Sequence, residues 1–268
     1  MKTVNVCVLV VGAGIAASGA NGQGTLTRTD LRAEASAEYV QGGSFGNSGT
    51  TMDASGADFV GIENRSFSGG GFSGRGFAHF AATFTPTSPL INGTFSRVVL
   101  DACSSAEITA SHVQPPVPHS SERAYGLARG VIEFSLSTTV NWTWIGGWHG
   151  KSYSTGAFNR VVGEMMLIDL NSPTQYVNIT NTSLNGSGDW SQMFSLSGTL
   201  GPGNYQLVWS HESLVTGGNT PFGPWTTAKG GSPLIICTNS TFEMSEVPAP
   251  ATAMICSVIF AAGVRRRR

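Results

Sequence analysis

Few residues of this chain are placed to do chemistry, and in most cases the local sequence argues against it. Gly42-Gly43-Ser44-Phe45-Gly46 satisfies the Gly-x-Ser-x-Gly pattern of a serine nucleophile. A nucleophile elbow needs a helix directly after the serine, and Asn47-Ser48-Gly49-Thr50-Thr51 supplies none. Val8 to Ala17 imitates a strand running into a Gly-x-Gly-x-x-Ala dinucleotide fingerprint at Gly12 and Gly14. That reading requires a helix N-terminus facing the pyrophosphate, whereas Ser18-Gly19-Ala20-Asn21-Gly22 is hostile to helix. Sandwich glycosidases need two carboxylates about 5–9.5 Å apart across the scissile bond. Glu164 and Asp169 fall on opposite faces of one strand, and no catalytic pair is assigned.

The five histidines, His79, His112, His119, His149 and His211, are scattered, and no Cys/His spacing suggests zinc. His79 and His211 lie in strand-like runs; the other three read as loop residues. Asn185-Gly186-Ser187-Gly188-Asp189 offers oxygens to calcium, but too few carboxylates are near, and a plain turn accounts for it. No metal or cofactor follows. Cys7 and Cys256 belong to the terminal segments, which leaves Cys103 and Cys237. Two readings stand open for them, a bridge in an oxidising envelope or a pair of buried thiols. The best binding hint is Trp148 with His149, in Ile145-Gly146-Gly147-Trp148-His149-Gly150. A Trp flanked by glycines at a strand tip can stack a sugar ring through its apolar face. The competing reading packs Trp148 over a sandwich end, with Trp142, Trp144, Trp190 and Trp209 in the core.

The elements that must position these residues are strands. Ala33, Ala35, Ala37 and Tyr39 alternate with Arg32, Glu34, Ser36 and Glu38. Ile132, Phe134, Leu136, Thr138, Val140, Trp142 and Trp144 share another face, a pattern that only a period of two produces. It predicts a central strand from Ile132 to Trp144. Further strands are predicted over 77–85, 95–102, 161–170, 176–180, 192–200, 205–212 and 234–244, with Gly201-Pro202-Gly203-Asn204 turning a hairpin. Gln41 to Gly76 holds 11 glycines and reads as long loops or a Gly-rich edge hairpin, with self-association as the sharper possibility. Gln114-Pro115-Pro116-Val117-Pro118 reads as a crossover connector. About eight to ten antiparallel strands in one domain, residues 21–246, give an all-β, jelly-roll-like sandwich.

Composition places that body outside the cell. Only 12% of the 268 residues are charged, and 35 are glycine. Lys2, an apolar Val4 to Ala17 and small Ser18 and Ala20 have the form of a signal peptide over residues 1–20, which implies the Sec translocon and signal peptidase as partners. Without Lys2 and Arg265 to Arg268, 10 basic residues stand against 16 acidic ones, about −6 overall. That balance argues against nucleic acid as a partner.

At the other end, Val247-Pro248-Ala249-Pro250 precedes uncharged Ala251 to Val264 and then Arg265, Arg266, Arg267 and Arg268. The prolines favour extended, accessible chain. As a helix the apolar run spans about 21 Å against a hydrocarbon core of about 30 Å, short for a permanent anchor. The arginines stay cytoplasmic by the positive-inside rule, so the body lies outside. This order resembles the PEP-CTERM sorting signal of Gram-negative bacteria, over residues 247–268, with Ala249 in the middle of the namesake Pro-Glu-Pro triplet. The resemblance implies an exosortase-type membrane enzyme as partner, a transient inner-membrane stay, then the cell surface or extracellular matrix. The expectation is a non-enzymatic structural or adhesive protein. Its alternatives are a carbohydrate-binding module that presents Trp148 to extracellular polysaccharide, and a sandwich-fold hydrolase.

Overall fold

The computed structural model describes residues 22–40, 44–69, 72–86, 91–110, 121–152, 158–184, 188–218 and 234–247. The segment 1–20 expected as a signal helix, the Pro-rich connector 114–118 and residues 248–268, with the C-terminal helix expected there, lie outside these. Every regular element among the described residues is a strand, and all pairings are antiparallel. In chain order they are β1 (Gly24–Val40), β2 (Ser44–Asp53), β3 (Phe59–Gly69), β4 (Phe72–Thr85), β5 (Thr94–Phe95), β6 (Arg97–Ala110) and β7 (Ser121–Leu136). There follow β8 (Val140–Ser152), β9 (Phe158–Asp169), β10 (Gln175–Leu184), β11 (Gly188–Leu200), β12 (Gly203–Gly218) and β13 (Leu234–Glu246). Sheet A runs β10-β9-β12-β7-β1-β2, with short β5 on β1; sheet B runs β11-β8-β13-β6-β4-β3. The two pack face to face as the expected β-sandwich, with more strands than the sequence suggests.

Two expectations are corrected by the topology, and a third is narrowed. The run Ile132 to Trp144 is two strands in different sheets, β7 and β8, joined at exposed Ser137 to Thr139. The alternation survives because Leu136 and Val140 both point inward from opposite layers, and Thr138, the polar member of the series, sits at the corner. The segments 192–200 and 205–212 likewise form no hairpin: β11 pairs with β8, and β12 with β7 and β9. The turn is an arch between layers, pinned where the Tyr205 hydroxyl donates to the Gly201 carbonyl at 2.8 Å. Of the two readings of the Gly-rich segment, the edge hairpin holds for β3, which lies at the edge of sheet B and pairs antiparallel with the start of β4, and with β2 the segment supplies both edges on one flank.

The core is graded along the strand axis. At one end Phe84, Phe95 and Phe134 meet edge-to-face with centroids 5.5 and 5.6 Å apart, and Trp144 packs on Trp209 at 5.5 Å. Toward the other end the inward residues shrink to Ala33, Ala35 and Ala37 on β1, Ala78 and Gly76 on β4, Ala128, Gly126 and Ala124 on β7. There the layers come backbone to backbone. A Cβ at Gly76 would collide with the carbonyl oxygens of Tyr125 and Ser36, and one at Gly126 with that of Phe77. The only side chain such an approach admits is hydrogen. Ser104 and Ser213, buried in this narrow half, satisfy each other at 2.9 Å.

Candidate functional site

Strand parity decides which predicted site residues reach solvent. Along β8 the even positions point inward, so Trp142, Trp144 and Trp148 are buried while His149 is exposed. Trp148 is therefore not a loop residue and cannot stack a glycan: it is 1% exposed. Its indole packs edge-on against Trp209 at 5.9 Å and Phe194 at 6.1 Å. Gly146 and Gly147, which read as a tip, are ordinary strand positions; the inward space at Gly146 is taken by Ser240 and the Phe194 ring.

His149 instead joins a row across the outer face of sheet B. Register sets Ser191 opposite His149, His149 opposite Cys237, Cys237 opposite Cys103, and Cys103 opposite His79. Cys103 and Cys237, with Cα atoms 4.0 Å apart, are joined by a disulfide. One residue pair further along the strands, Asp189, Lys151, Ile235, Ser105 and Phe77 form the next row. Together the two rows, without His79, and Arg75 line a cleft of about 800 Å³. The cysteines, His149 and Asp189 were singled out in the sequence, though not as one site; the rest of the lining was not, because it comes from five strands scattered between residues 75 and 237.

The floor is Phe77, Ile235 and the disulfide, flanked by cations. The Arg75 guanidinium lies 6.0 Å from the Phe77 ring centroid, and its Nε donates to Asn64 Oδ1 at 2.9 Å. Lys151 Nζ stands 3.6 Å from Asp189. Ser191, His149 and Asp189 share the composition of a hydrolytic triad, but not its geometry. The Asp189 carboxylate is 70% exposed and paired with Lys151, where a triad aspartate is buried against the imidazole. No hydrogen bond links Ser191 to His149 among the described residues, and no group of three or more His, Cys, Asp or Glu is arranged there to hold a metal ion. The cleft can accommodate a ligand with one apolar face and a polar or anionic rim.

A second acidic group escaped the sequence reading. Glu34 and Glu38, four apart on β1, share the outer face of sheet A, and register puts Glu212 two strands from Glu34 beyond Leu127. Two strand spacings separate such backbones by about 9–10 Å. Glu212 is ion-paired with Arg160 at 3.6 Å, and Glu34 and Glu212 are only half-buried. Tyr125, beside this group, has its hydroxyl pushed up to about 12 by burial first and by Glu212 and Glu34 second.

Of the expected sorting motif, Val247 is described and 42% exposed; Pro248, Ala249, Pro250 and Arg265 to Arg268 lie outside the described residues. Compared with known proteins, the chain matches no protein-family model and no curated protein.

Proposed function

We propose that the chain is an exported, non-enzymatic protein of a bacterial cell surface or extracellular matrix, sorted through its C-terminal segment by an exosortase-type enzyme. The observation that carries this reading is the order of Pro motif, short uncharged run and arginine block, which begins where the last strand of the sandwich stops. β13 ends at Glu246, and Val247, where that order begins, is exposed. The Cys103–Cys237 bridge suits an oxidising compartment. On this reading truncation after Glu246 leaves body stability within about 0.5 kcal/mol and releases the protein from the envelope. Mass-spectrometric mapping of the C-terminus of surface-located protein tests the sorting step directly. Retention of Arg268 on that protein would make the segment an ordinary anchor.

The cleft on sheet B favours one second reading, glycan binding through Phe77 and His149 in place of buried Trp148. Loss of binding to extracellular polysaccharide on Phe77→Ala, with unchanged circular dichroism, is the expected result; equal binding by that variant removes the reading.

A further inference from the structure

β11 is an edge strand of 13 residues whose described pairing is with β8 alone. The other three edges carry devices that discourage further pairing. β2 and β3 are tied across the layers by the Thr51 hydroxyl donating to Glu63, which also pairs with Arg65 at 2.7 Å. β10 breaks register between Gln175 and Val177. β11 has no charge and no proline from Trp190 to Leu200, and its Met193 is 76% exposed. Phe194 and Leu196, on its inward side, pack against the core yet remain partly exposed.

We propose that β11 is the interface for a second copy of this chain, paired antiparallel across a two-fold axis at Ser195. The argument for that occupant is self-complementarity. Centred on Ser195, the pairing sets Phe194 against Leu196 of the second copy, Met193 against Ser197, and Ser191 against Thr199. Apolar side chains meet on the inward face and hydroxyl-bearing ones mostly on the outward face, with no like charges opposed. A two-fold axis normal to the sheet reverses strand direction, so it produces antiparallel pairing and joins the two six-stranded sheets into one. The contact is isologous and closes as a dimer. This does not depend on the sorting reading.

Sedimentation equilibrium of the full chain over a micromolar concentration series tests it. The parent chain is expected to dimerise, and Met193→Lys/Ser195→Lys, which opposes like charges across the axis, to weaken the dimer by about 100-fold or more. Ser195→Cys gives an independent measure that needs no loss of fold. The two introduced thiols face each other and should crosslink under mild oxidation, while Thr199→Cys, opposite Ser191 of the other copy, should crosslink far less. A parent chain monomeric throughout the series would overturn the proposal. So would an association indifferent to the two lysines, as tail-mediated contact would be, or crosslinking at 199 equal to that at 195.

Discussion

His211 lies between the indoles of Trp148 and Trp209, with ring centroids 6.4 and 5.4 Å away, and its Nε2 faces the Thr238 hydroxyl at 3.2 Å. Burial drives its pKa down to about 3; the Ala102 backbone beside it offsets a part, although Nδ1 finds no partner of hydrogen-bonding geometry. The folded pKa is below the unfolded value of about 6.5, so the unfolded chain binds the extra proton between them. Stability is full above pH about 6.5 and is lost as pH falls toward 3, by about 1.4 kcal/mol per pH unit from this residue. His211→Phe should flatten the pH dependence of the urea midpoint between about 4 and 6. Asp30, held below its usual range by its hydrogen bond to Arg32, titrates below that window and cannot mimic the effect. An unchanged slope in the variant would assign the acid sensitivity elsewhere. The sequence placed His211 on a strand but left its face open, since alternation distinguishes two faces without saying which is wet. Trp148 shows the same limit: Gly146 and Gly147 looked like a turn, and only neighbouring strands reveal that they stay extended.

Among elements, the alternating runs were the most readable, because inward parity on β13 is strict, and on β1 and β7 it departs only at Ser36, at Val131 and at the bulge between Leu26 and Arg28. What remained hidden is where a run changes layer. Leu136 and Val140 keep one parity through the corner, so a crossing between sheets and a continuous strand give the same pattern. The Gly-rich strands were legible only as one of two readings, for a different reason. Glycine weakens isolated strand propensity, but here Gly61 and Gly74 leave room for the rings of Phe59 and Phe67, and Gly76 for facing carbonyls. Gly126 on β7 states this sharply. Gly126→Val should destabilise by roughly 1–3 kcal/mol or more, because the Phe77 backbone has no room to withdraw. Thr138→Val at the exposed corner should stay within about 0.5 kcal/mol in the same urea titration. Equal effects would show that the layers are looser at Gly126 than their contact implies.

At the scale of the whole molecule, the class of fold was legible, whereas the cleft on sheet B was not, since its lining is assembled by register between distant segments. The disulfide also acts at this scale. Cys103 and Cys237 are 134 residues apart and enclose β7 to β12. A closure of that length is worth roughly 4–5 kcal/mol in the chain-entropy model. Cys103→Ala/Cys237→Ala should therefore lower equilibrium stability by an amount of that order, and a loss below about 1 kcal/mol would show that the link adds little to packing. The taper of the core gives the bridge a further meaning. Apolar side chains are concentrated in the thick half, so the thin half has little hydrophobic area with which to resist local opening. The covalent staple lies at the border of that thin half, on strands whose inward neighbours are Ala102, Ser104, Ile236 and Thr238. Reduction should leave the aromatic half closed while amide exchange quickens around β6 and β13, so the redox state of the surroundings would set how far one end of this sandwich breathes.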